Sequence, residues 1–131
     1  MSSASRLLCI CAGALALGAC SNSPAVFPAC TEEFRYGLNV TVVDSLTGIP
    51  PSSATLIARD GVYVDSVGPQ TTFIVGTQGP VLLVSAAGER EGTYDLTVRS
   101  PGYLAWTRAG VQVTGDDCHV NPVALTARLR K

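Results

Sequence analysis

A single histidine, His119, stands in the 131-residue chain, directly after Asp116, Asp117 and Cys118. Imidazole, thiol and carboxylate are the groups that hold zinc or drive hydrolysis, so this run is the natural place to look for chemistry. Contiguous ligands rarely wrap one ion, and no C-x-x-C or H-x-x-x-H partner accompanies them, so no metal site is expected. A hydrolytic triad needs the imidazole oriented by a carboxylate and aimed at a nucleophile. Acids are at hand, but there is no G-x-S-x-G or comparable nucleophile turn, and His119 reads as an exposed loop residue. The remaining acids fall mostly at turns or on outward strand positions, as solvated charges do. Glu89, Arg90 and Glu91, flanked by Gly88 and Gly92, read as a solvent-exposed hairpin tip. No catalytic residue and no cofactor is expected, and the chain reads as non-enzymatic.

Three aromatics suggest binding instead. Tyr63, Tyr103 and Trp106 could stack on sugar rings, although packing into a core is the commoner use of such side chains. Leu104 and Trp106 share one face of an expected strand and Tyr103 the other; Trp106 with Arg108 on a solvent face would mark a partner surface. A peptide- or glycan-binding module is therefore the second reading, behind an interaction or scaffold module, and a hydrolase is the third.

Composition bounds these readings. The chain is 47% hydrophobic and only 15% charged, enough for one domain with a real core. Nine basic residues against ten acidic ones leave a net charge of −1, so no field for nucleic acid exists. Eight prolines and 13 glycines suit a turn-rich β protein. The mean hydropathy of +0.30 points to membrane, but its apolar weight is unevenly placed.

Met1 to Arg6 is polar with one positive charge, and Leu7 to Leu17 then runs without a charged residue. Eleven residues are about half of the ~20 a helix needs to cross a bilayer, which fits a secretory signal peptide. Leu17, Gly18, Ala19 and Cys20 resemble the lipobox of bacterial lipoproteins. The resemblance implies cleavage before Cys20 and attachment of acyl chains such as palmitate, giving a signal peptide at 1–19 and a lipidated tether at 20–33. The alternative is an ordinary signal peptide with Cys20 as a disulfide partner. Ser21 stands where an aspartate would resemble an inner-membrane retention signal, so the outer membrane, facing the periplasm, is the expected location. With Cys9 and Cys11 in the leader and Cys20 acylated, Cys30 and Cys118 remain and are expected to pair in an oxidising cell envelope.

Beyond the tether the apolar period is two. Tyr36, Leu38, Val40 and Val42 form the inward face of a first strand, followed by turn formers from Asp44 to Pro51. Further strands are expected at Ala54–Arg59, Val62–Val67, Thr72–Val75, Val81–Ala86, Gly92–Arg99 and Tyr103–Val113, the last with a bend at Gly110. The final strand sets Val123, Leu125, Ala127 and Leu129 on one face. Asp60 and Gly61 are a strong hairpin signal. Residues 34–131 thus read as an all-β, seven- to eight-stranded antiparallel β-sandwich of immunoglobulin-like architecture.

Two segments resemble carboxypeptidase regulatory-like domains: Asp44, Thr47, Gly48 and Pro50 after an apolar strand, and Gly92, Tyr94, Leu96 and Val98 followed by Gly102 and Tyr103. The resemblance implies a seven-stranded prealbumin-like (transthyretin-like) sandwich, in a family of mostly accessory modules without chemistry. Ser53 and Ala54 stand where the family has Gly-Ala. The hydrolytic branch of the transthyretin-like group needs paired histidines and a Tyr-Arg-Gly-Ser tail, both missing here. The partners expected are a membrane, through the lipid, and an envelope protein or glycan.

Overall fold

The computed structural model describes residues 29–74 and 79–131. The expected leader, Cys20, the expected tether up to residue 28 and residues 75–78 lie outside the described residues. Among the described residues, alternation of apolar and polar side chains becomes nine strands: β1 (Tyr36–Asp44), β2 (Ser53–Asp60), β3 (Tyr63–Thr71), β4 (Phe73–Ile74), β5 (Pro80–Val81), β6 (Leu83–Gly88), β7 (Gly92–Arg99), β8 (Trp106–Val113) and β9 (Val123–Leu129). Among the described residues there is no helix. Seven strands build two sheets, ordered β6-β1-β9 and β3-β2-β7-β8, and β4 and β5 pair as a short ribbon. Leu38, Val40 and Val42 from one sheet and Leu56, Tyr94, Leu96 and Val98 from the other meet in one buried cluster, the core of the sandwich. Burying such side chains, at about 25 cal/mol per Å² of apolar surface, is what holds the two sheets face to face.

Not every pair is antiparallel. β1 and β9 run parallel, Leu38 beside Val123 through to Asp44 beside Leu129. Parallel neighbours need a long connection between them, and here the rest of the domain supplies it. The expected strand at Val81–Ala86 divides, because Pro80 and Val81 pair with β4 while the chain from Leu83 pairs with β1. The strand expected from Tyr103 begins at Trp106, since Pro101 and Gly102 form a turn closed by the Tyr103 amide on the Ser100 carbonyl. The β2–β3 hairpin turns through Gly61 and Val62, which leaves Val62 fully exposed rather than in a strand. Tyr36 shares the parity of Leu38 but sits on the first rung, paired with Gly88, and is 46% exposed. At Gly110 the bend is a β-bulge: the β7–β8 register shifts there, φ is +66°, and the Gly110 amide bonds Asp95 Oδ1 at 2.9 Å.

The pairings give the sandwich two ends. At the tether end lie residues 29–35, the 60–63 and 88–92 turns and the 113–123 loop; at the distal end lie 44–53, 99–106 and 129–131. A disulfide joins Cys30 to Cys118 across 88 residues, with Cα atoms 5.2 Å apart.

Candidate functional site

At the tether end the disulfide brings the histidine loop against the segment that enters the domain. His119 Nδ1 lies 2.9 Å from Glu89 Oε1, and Nε2 lies 3.0 Å from the Thr31 hydroxyl and 3.1 Å from the Thr31 carbonyl. The Glu89 carboxylate and the Thr31 carbonyl can only accept, so each takes a proton from the ring nitrogen it faces when that nitrogen carries one, whereas the Thr31 hydroxyl can donate to Nε2 or accept from it. The His119 side chain is only 11% exposed. It is therefore no free loop residue, and Glu89, exposed at the hairpin tip as expected, is hydrogen-bonded there rather than free.

The backbone explains why Glu89 turns inward. Ala87 and Glu89 both hold left-handed φ angles, +56° and +47°, which cost non-glycine residues about 1–2 kcal/mol each. Such angles persist where the surroundings over-determine them. The Ala87 amide donates to Asp65 Oδ2 at 2.9 Å. Glu89 accepts from the Arg35 amide at 2.7 Å and the Val120 amide at 3.3 Å. Burial pushes the Glu89 carboxyl up, but the Arg35 amide, the His119 ring and the Val120 amide together hold it below the ordinary carboxylate value. Asp116 is lowered by the amides it caps, those of His119 and Cys118, at 2.9 and 2.8 Å.

Hydroxyl, imidazole and carboxylate thus stand in the order of a hydrolytic triad, and Thr31 and Glu89 are the members that sequence reasoning missed. Among the described residues, the backbone amides nearest them already have acceptors. Catalysis of acyl transfer depends on preorganised donors aimed at a developing oxyanion. Here the amides of Cys118 and His119 already serve Asp116, and those of Arg35 and Val120 serve Glu89. The open cleft alongside, about 370 Å³, is lined by Glu32, Glu33, Glu89, Glu91, Asp116 and Asp117, whose field opposes a second negative charge. Among the described residues no three His, Cys, Asp or Glu side chains are grouped to hold a metal ion. What the cluster does is clasp the entering segment: Phe34 covers Gly88, where a Cβ would overlap its ring, and meets Tyr36 edge-on at 5.2 Å.

The three aromatics do not share a platform. Tyr63 packs on the core beneath Arg90, whose guanidinium carbon is 3.9 Å from its ring centre. Trp106 and Tyr103 also pack on the core, at the distal end. Tyr103 donates its hydroxyl to Asp44 Oδ2 at 3.0 Å, which joins the two segments on which the regulatory-domain resemblance rests. Asp44 Oδ1 accepts the amides of Leu46 and Thr47 at 2.8 and 3.0 Å, and Gly48 takes φ +71° to close the turn. Those amides, Thr47 first and then Leu46, with help from Tyr103, pull the Asp44 carboxyl down to about 2 despite its burial.

The chain matches no family model, no curated protein and no solved structure.

Proposed function

We propose that the protein is a membrane-anchored bacterial lipoprotein whose β-sandwich, without catalytic activity, serves as a binding or scaffold module of the cell envelope. The observation that carries this reading is the Cys30–Cys118 disulfide. A disulfide fits an oxidising compartment, and it uses the two cysteines that remain once Cys9 and Cys11 leave with the leader and Cys20 is acylated. Two or three acyl chains, at about 0.8 kcal/mol per buried methylene, hold such a protein to a membrane durably. Ser21 after the acylated cysteine favours the outer membrane, with the domain facing the periplasm.

Uncharged from Ser21 through Pro28, the tether opens with Ser21, Asn22, Ser23 and Pro24, a composition suited to a spacer between lipid and domain. Confinement near a surface then raises the effective concentration of the sandwich for envelope partners. Three- and four-stranded sheets, together with the Asp44–Tyr103 bond, support the prealbumin-like reading and a kinship with carboxypeptidase regulatory-like domains. The amides already committed to Asp116 and Glu89 support a role without chemistry for His119. Cell fractionation of a Cys20→Ser variant tests the anchor. The domain is expected to appear soluble or unprocessed, and unchanged membrane association with normal processing would refute the reading.

A further inference from the structure

Where β8 and β9, the edge strands of the two sheets, approach each other at the distal end, Leu104, Trp106, Arg128 and Arg130 line an open groove of about 180 Å³. Arg128 and Arg130 alternate along the chain with Ala127 and Leu129, which are buried in the core, so both arginines stand exposed on the outer side. A bond of 2.7 Å from the Leu104 amide to the Arg130 carbonyl ties the two lining segments together. Trp106 is half-buried and packs on the core, which fixes the ring that lines the groove. Leu104 beside it is 59% exposed.

Charge gives the groove its sign. Among the described residues neither Arg128 nor Arg130 has an ion-pair partner, whereas Arg35 and Arg90 at the other end both do. Arg99 and Lys131 add positive charge at the same end. The acid there, Asp44, is already taken by two amides and the Tyr103 hydroxyl. A lining indole beside two guanidiniums that have no ion-pair partner among the described residues combines an aromatic ring with donors whose planar fork matches a carboxylate.

We propose that this groove binds an acidic glycan, with Trp106 stacked on a sugar ring and Arg128 and Arg130 holding its carboxylate. The volume supports a single ring of a longer chain, because pockets that enclose whole drug-sized ligands run to about 300–1,000 Å³. The groove lies at the opposite end from Cys30, where the tether enters. A ring to stack on as well as a charge to pair favours a glycan over a lipid headgroup that offers charge alone. The groove itself is built within the sandwich and does not depend on the anchor.

Trp106 is the chain's one tryptophan, so its fluorescence reports on the groove directly. The full native protein is titrated with hexagalacturonate, a neutral glucose hexamer, hexaglutamate and phosphatidylglycerol vesicles. Saturable change of indole emission is expected with hexagalacturonate, with the other three roughly tenfold weaker or more, as loss of a charge-assisted bond or of the stacking ring implies. Arg128→Gln/Arg130→Gln should weaken binding by about tenfold or more, while Arg59→Gln, exposed on β2 and outside the groove, leaves it unchanged. Silence of the indole up to millimolar glycan, equal binding of hexaglutamate or vesicles, or an unaffected double variant would each overturn the proposal. Mass analysis of the same preparation separates the two claims: acyl mass without glycan binding refutes the groove alone, and glycan binding without acyl mass refutes the anchor alone.

Discussion

At the tether end Arg35, Arg90 and His119 lie 2.8, 2.8 and 2.9 Å from carboxylate oxygens; at the distal end Arg99, Arg128 and Arg130 have no such partner among the described residues. The difference separates charge that positions the chain from charge left available to a ligand. Arg90 bridges Asp60 and the Tyr94 hydroxyl, each at 2.8 Å, and lies over Tyr63, fixing three strands' ends at once. Its guanidinium is raised by Asp60 first and then by Tyr94, so it stays charged throughout. Exposed ion pairs contribute only about 0–1 kcal/mol, against roughly 4–5 kcal/mol for a disulfide closing a loop of this length. The covalent link therefore holds the tether end, and the ion pairs set its geometry.

The largest test of that contrast removes the disulfide. Cys30→Ser/Cys118→Ser should lower unfolding free energy by about 2–5 kcal/mol in a denaturant melt. A loss below about 1 kcal/mol would break the claim that the covalent link dominates this end. Glu89→Gln comes next: the clasp should loosen, with a smaller fall in melting temperature and faster exchange of the Arg35 and Val120 amides, which bond its carboxylate. If those amides stay protected, the carboxylate does not position the segment.

Acid probes the distal turn. Because the folded Asp44 carboxyl titrates at about 2, below its ordinary 3.8, its stabilisation is present in full above about pH 4. It is lost as pH falls through about 2, and Asp44→Asn should flatten the stability profile in that window. An unchanged slope in urea melts between pH 5 and pH 2 would contradict the bonding described for the turn. The smallest effect is expected from Arg128→Gln/Arg130→Gln, which should change stability by no more than about 0.5 kcal/mol, as exposed sites without structural partners do. A loss comparable to that of Glu89→Gln would erase the distinction between the two ends.

How much was legible in the sequence follows the range of each interaction. β7 is found at the expected residues, because Tyr94, Leu96 and Val98 alternate with polar neighbours between two glycine turns. The Asp44 turn was legible too, since an aspartate two and three residues before the amides it accepts is a local device. The parallel β1–β9 pair was not, because alternation shows which face is buried but not which strand lies alongside or in which direction. Glu89 was hidden for a different reason. Between glycines a charged triplet resembles any solvent-facing turn, and only the left-handed angles at Ala87 and Glu89 aim it at His119. Thr31 and His119 are 88 residues apart, and no periodicity links positions so distant.

The proposed anchor is tested most directly by intact-mass analysis of the protein purified from its native membrane. The account predicts a chain beginning at Cys20, carrying acyl mass, with Cys30 and Cys118 joined. A product that retains residues before Cys20, or one that begins there without lipid, would contradict it.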